Sequence, residues 1–311
     1  MIGVLTALTL TLAVQDPAHQ PPGPVQEAPT RLEDVTVTGR SLDRLIENFV
    51  AEVAEPNRRR GLARWDGSLC VGVANLRQET AQYIVDRVST VAEDVGLRAG
   101  GPGCAPNLLV VATDDGGAAA RSLVSESRRA FRMGGAGMDR GGSAFRDFQE
   151  ADRPIRWWQV SMPMDADSGQ RAVRLPGDCE GRLCIGSVLG YAPMLEISSA
   201  SRLTTQIVDN IFRTVVIVDI DDVAGLTAQQ LADYVAMVSL AQIDPDADTR
   251  AYDSILNVFD DGAPTLTGWD LAYLDGLYGA ERTDRNRDAN RAEIESSIRR
   301  AHARARAATE Q

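Results

Sequence analysis

The sequence predicts an α+β domain: a mixed sheet with flanking helices. Three observations lead there. Between Trp65 and Ser122 two apolar runs, LCVGVANL and LLVVA, are separated by a stretch of helical periodicity, a strand–helix–strand order. From Arg156 to Ala200 the short stretches WWQVSMPM, AVRLPG, LCIGSVL and MLEISSAS are punctuated by turn residues, as in a run of antiparallel strands. Then VVIVDI, Val215 to Ile220, is an apolar run of strand length that leads into a helical pattern.

The elements follow in order. SLDRLIENFVAEVA, Ser41 to Ala54, places Leu42, Leu45, Ile46, Phe49, Val50 and Val53 at helical spacing, with Ser41 as N-cap. Arg77 to Gly96 forms a second helix with Ala81, Ile84, Val85, Val88, Val91 and Val95 on one face. LLVVA reads as a buried strand, and Asp114-Asp115-Gly116-Gly117 opens a third helical stretch. MGGAGMDRGG, within Arg128 to Gly142, lacks the phosphate-loop spacing and its lysine, so the expectation is a mobile surface loop. Thr204 to Phe212 is expected to be a short helix. Leu226 to Ala241 is expected to be a longer one, with Thr227 and Gln230 forming a capping box.

The expected organisation is a signal peptide over 1–15, a Pro-rich disordered linker over 16–31, a globular α+β domain over 32–280 that divides, if anywhere, near 130–150, and a polar helical or disordered tail over 281–311. MIGVLTALTLTLAVQ is an uncharged apolar run too short to span a bilayer, and it lacks a basic n-region. A buried N-terminal strand is the competing reading. An exported chain with four cysteines implies disulfides, and Cys70–Cys104 with Cys179–Cys184 is the preferred pairing. A four-thiolate zinc site is the rival, though neither pair has CxxC spacing.

Composition closes several chemistries. All 32 basic residues are arginine, so Schiff-base lysines and Ser-Lys dyads are impossible. The two histidines, His19 and His302, fall in the Pro-rich stretch and the polar tail. The folded middle is therefore expected to lack Ser-His-Asp, Cys-His and HExxH sites. A net charge of -12 argues against nucleic acid and against anionic membrane faces.

Val215 to Gly279 resembles the core of a zincin-like metallopeptidase fold: the strand VVIVDI, the helix QQLADYVAMVSLAQI, the turn Asp253-Ser254-Ile255-Leu256-Asn257, and a closing stretch from Leu266-Thr267-Gly268-Trp269-Asp270 to Leu277-Tyr278. The SI-x-N, LT-x-x-D and LY pattern is similar to that of exported bacterial proteins of the DUF2927-like group. The resemblance covers about a fifth of the chain. It implies a zincin-like scaffold without its metal. The ligand positions fall near Tyr234 and Val238 and the base near Val235, and none of these side chains can do that work. Unrelated helical folds give the same pattern by chance.

Other candidates for chemistry are few. Asp244, Asp246 and Asp248 space like the first three ligands of a calcium loop, but Thr249 and Ile255 stand where glycine and glutamate belong. Asp219, Asp221 and Asp222 follow a buried strand, where ligand sites of α/β folds form. Trp157 and Trp158 are candidates for stacking on a ligand. The leading expectation is a periplasmic or secreted protein without cofactor. It binds an envelope protein or cell-wall component and has no membrane span in the mature chain. The alternatives are a carboxylate-based hydrolase acting on envelope glycan or peptide, and a structural or assembly factor.

Overall fold

The computed structural model describes residues 39–57, 60–133, 137–173, 175, 206–260, 262–282 and 287–309. The expected signal peptide and linker lie outside this range, as do Cys179 and Cys184. The elements are α1 (Gly39–Val53), β1 (Ser68–Leu69), β2 (Val71–Ala74), α2 (Gln78–Asp94), β3 (Arg98–Ala99), β4 (Leu108–Thr113), α3 (Gly116–Phe131), α4 (Gly142–Glu150), β5 (Ile155–Asp165), β6 (Ile207–Asp219), α5 (Ala228–Leu240), a 3₁₀ turn at Ile255–Asn257, α6 (Gly268–Gly279) and α7 (Arg287–Thr309).

The main sheet has the order β2-β4-β6-β5. The first three strands run parallel and β5 runs antiparallel to β6. Parallel strands need a crossover, and α2 supplies it between β2 and β4. Both faces of β4 and of the second half of β6 are covered, which is why LLVVA and VVIV are continuous apolar runs rather than alternating ones. On one face Leu108, Val110, Val216, Val218 and Trp157 meet apolar residues of α1, α2, α5, α6 and α7. On the other, Trp158, Val160, Val215 and Ile217 meet α3 and α4. The sheet is thus the middle of three layers, a mixed sheet flanked by helices.

Several elements differ from expectation. Thr204 to Phe212 was expected to be helical, yet from Ile207 onward it extends β6. Asp165 to Ser161 of β5 pairs with Ile207 to Ile211, and that ladder overrides local periodicity. A bulge leaves Phe212 as the extra residue: Val160 pairs with Arg213 and Ser161 with Ile211. The first helix starts at Gly39, so Ser41 lies inside it rather than capping it. The expected mobile loop before α4 is held down where it is described. Met138 is fully buried, its carbonyl accepts a 2.8 Å hydrogen bond from Ser161 N, and Asp139 pairs with Arg132 at 3.0 Å.

The C-terminal stretch is not solvated all round. Ile294, Ile298 and Ala301 of α7 are buried. Gly276 of α6 lets the helices meet at backbone distance, since a Cβ there would lie 2.3 Å from Ile298 Cγ1. His302, assigned to the tail from sequence, is therefore part of the folded body.

A disulfide joins Cys70, at the β1–β2 junction, to Cys104 in the turn before β4, closing a 34-residue loop. Asn107 fastens the same corner: its side chain accepts from Cys70 N at 2.7 Å and donates to Ser68 O at 2.9 Å.

Candidate functional site

The motif-bearing region is built from α5, the 3₁₀ turn and α6. α5 starts at a complete capping box between Thr227 and Gln230, as the sequence predicts. From Leu231 to Leu240 every residue is buried, which is why that run is apolar on every side except for Asp233 and Ser239. Tyr234, Val235 and Val238, where the resemblance expects metal ligands and a base, are all core residues. Burial also pushes the Tyr234 hydroxyl above the usual tyrosine range.

Two carboxylates lie wholly inside this region. Asp233 of α5 accepts from Arg87 Nε at 2.5 Å, Thr265 Oγ1 at 2.6 Å and Leu266 N at 3.0 Å. It therefore ties α2, α5 and the segment before α6 together. Asp270 of α6 accepts from Ser254 Oγ at 2.5 Å, Ile255 N at 2.8 Å, Thr267 N at 2.9 Å and Thr267 Oγ1 at 2.9 Å. Burial raises its pKa, and these donors pull in the opposite direction. Asn257 completes the motif by donating to Thr249 O at 3.0 Å and Tyr252 O at 2.7 Å, while accepting from Thr249 Oγ1. The Ser, Asn, Thr and Asp of SI-x-N and LT-x-x-D thus bond to one another and to neighbouring backbone. Such a network is stable because every member is satisfied.

The far end of α6 is capped by Arg64, whose Nη1 donates to Leu277 O at 2.6 Å and to Tyr278 O and Ala280 O at 2.9 Å. A cation against these carbonyls meets the negative end of the helix dipole. Burial, with Arg282 nearby, lowers the Arg64 pKa to about 10.

The acids at the end of β6 divide. Asp219 Oδ2 accepts from Gly116 N at 3.0 Å and Oδ1 from Asp221 N at 3.3 Å. Asp115 Oδ1 accepts from Ala118 N at 2.7 Å. The chain's own carboxylates thus occupy the N-terminus of α3, where an anionic ligand would otherwise sit. Asp221 and Asp222 are exposed.

The calcium-like triplet does not converge. Asp244 Oδ1 accepts from Asp246 N at 3.0 Å, Asp246 pairs with Arg153, and Asp248 pairs with Arg250 at 2.7 Å. Arginines therefore take two of the three carboxylates. The two-oxygen bond from Arg250 holds Asp248 down at about 2. Among the described residues no three His, Cys, Asp or Glu side chains are grouped to hold a metal ion.

The tryptophans are also core residues. Trp157 Nε1 donates to Ile243 O at 3.2 Å and Trp158 Nε1 to Phe131 O at 2.8 Å, and neither ring is open to a ligand. Each indole finds a carbonyl because a buried N–H demands one.

Sequence reasoning missed an arginine–carboxylate cluster around a cavity of 40 Å³ beside β5, lined by Glu55, Arg140, Arg153, Arg156, Asp244 and Asp246 among others. Arg140 pairs with Glu55. Arg156 is buried and donates to Phe148 O at 3.1 Å, its pKa lowered by burial and then by Arg153. Glu55 is raised by burial, an effect that Arg140 partly offsets. These residues come from four separate segments and share no sequence spacing. Asp233 left a readable trace: an acid inside the apolar run DYVAMVSL needs a buried partner.

No family model, curated protein or solved structure matches the chain.

Proposed function

We propose that this chain is an exported envelope protein that works by binding another envelope component, not by turning over a substrate. One observation carries the reading. The helix standing where a zincin would hold its metal turns Tyr234, Val235 and Val238 into the core and commits its carboxylate, Asp233, to three donors. A catalytic carboxyl needs an oxygen free to face the substrate, with a proton to give or a lone pair to accept one, and a metal site needs converging basic ligands. On this reading the scaffold is a zincin-like one kept for its shape. The partner is a protein or a cell-wall polymer met through the outer surface.

Export is part of the proposal. It draws support from the apolar stretch Met1 to Gln15 and from the Cys70–Cys104 disulfide, which persists in oxidising compartments. Among the described residues no helix is long and apolar enough to cross a membrane.

Two experiments test the proposal. Intact mass without reductant, on protein from its native cell, should give a mature chain starting near Asp16 with its disulfides formed. A chain that keeps Met1 and carries free thiols contradicts export. Turnover of envelope glycan and peptide substrates should stay at background. Turnover that the double change Asp221→Asn and Asp222→Asn abolishes would establish the hydrolase reading instead.

A further inference from the structure

The packing of α7 places a histidine where its charged form has no partner. His302 lies against Trp269, with ring centroids 4.6 Å apart, and Trp269 in turn meets Phe49 of α1 at 5.4 Å and Tyr252 at 5.5 Å. His302 Nε2 is buried and has no hydrogen-bond partner. A neutral imidazole tolerates this setting, but an imidazolium must leave a proton unsatisfied in an apolar contact. We infer that α7 is an acid-released clasp: protonation of His302 weakens its seat on α1 and α6 and frees the C-terminal helix.

The surrounding charges act in the same direction. On α7, Arg299 and Arg306 lie one turn before and one turn after His302, and like charge disfavours a third cation. From α1, Asp43 and Glu47 are drawn to Arg299, at 3.7 and 3.6 Å. From α6, Asp275 pairs with Arg304, and Asp270 is committed to its own donors. The hydroxyls of Tyr252 and Tyr273 carry no charge in acid. The carboxylates Asp43, Glu47, Asp270 and Asp275 are thus committed to arginines or to their own donors rather than to His302.

Burial, reinforced by Arg306, lowers the His302 pKa below the usual histidine value. The docked imidazole therefore binds its proton less tightly than a solvated one. Docking is strongest above the ordinary histidine range, weakens as pH falls through it, and levels off below the docked value.

The chain has only two histidines, so an NMR titration of the full protein resolves both ring resonances, the His302 signal being the one lost in His302→Gln, and the same chain unfolded in urea is the reference. Amide hydrogen exchange of α7 is followed on the same samples. His302 should titrate below its own midpoint in the unfolded chain. The protection factors of α7 should fall about tenfold for each pH unit separating the two midpoints. In His302→Gln, α7 should keep its protection through that range. His302→Phe, which keeps a ring on Trp269, serves if the glutamine variant does not fold. A His302 midpoint at or above that of the unfolded chain would overturn the inference. So would α7 protection that is unchanged through the titration, or lost alike in wild type and in the folded variant.

Discussion

Two sets of aspartates in this chain invite a chemical reading, and their surroundings set them apart. Asp233 and Asp270 are fully buried, and each gathers donors from several segments. Asp244, Asp246 and Asp248 lie at or near the surface on one short turn, and their bonds are local or to arginine. Desolvation makes a buried carboxylate costly to leave unpaired, so the protein builds around the first set. Water screens the second set, so little depends on it. A motif of Ser, Asn, Thr and Asp can therefore be a structural clamp even where its spacing resembles an enzyme's.

The largest test of this difference is removal of the buried acids. Asp270→Ala strands four donors, and a loss of about 3–5 kcal/mol in unfolding free energy is expected. Asp233→Ala strands Arg87 and two further donors and should cost about 2–4 kcal/mol. Urea denaturation at pH 7 measures both.

A third buried acid, Asp209, is less well paired, and its burial shows as a pH dependence. Asp209 lies 3.1 Å from Arg60 Nε, yet the contact is too misaligned to count as a hydrogen bond, and burial pushes the carboxyl up to about 6. The folded state therefore holds this proton more tightly than the unfolded one. The contribution is present at low pH and is lost as pH rises from about 4 to about 6. That amounts to at most about 3 kcal/mol. Stability measured across this range should lose that slope in Asp209→Asn, and an unchanged slope would contradict the assignment.

A smaller change is expected at the helix cap. Thr227→Ala removes the hydroxyl that accepts from Gln230 N and should cost about 1 kcal/mol by thermal or urea unfolding. The smallest is at the exposed set. Asp246→Ala should stay within about 0.5 kcal/mol of wild type, and Asp248→Ala should show no measurable change.

Much of the layered fold was legible because it rests on local signals. VVIVDI and LLVVA announce buried strands, Asp115 and Thr227 announce helix starts, and Cys70 and Cys104 fall in one stretch. What failed depends on distant partners. Ile207 to Phe212 becomes strand because β5 lies beside it, and α7 becomes part of the body because Gly276 admits Ile298. The same holds at the candidate site. The SI-x-N and LT-x-x-D residues stood out in the sequence, but that Asp270 reaches Ser254 follows only from the fold. A strand pattern puts Trp157 and Trp158 on opposite faces, which would leave one of them open to a ligand on a sheet covered on one side, but helices cover both faces here.

The most direct test of the central claim is the unfolding free energy of Asp270→Ala beside that of Asp246→Ala, in urea at pH 7. A gap of at least about 2 kcal/mol, with the buried change the more damaging, is the predicted result. Equal stabilities would contradict the account and return Asp270 to the residues open for chemistry.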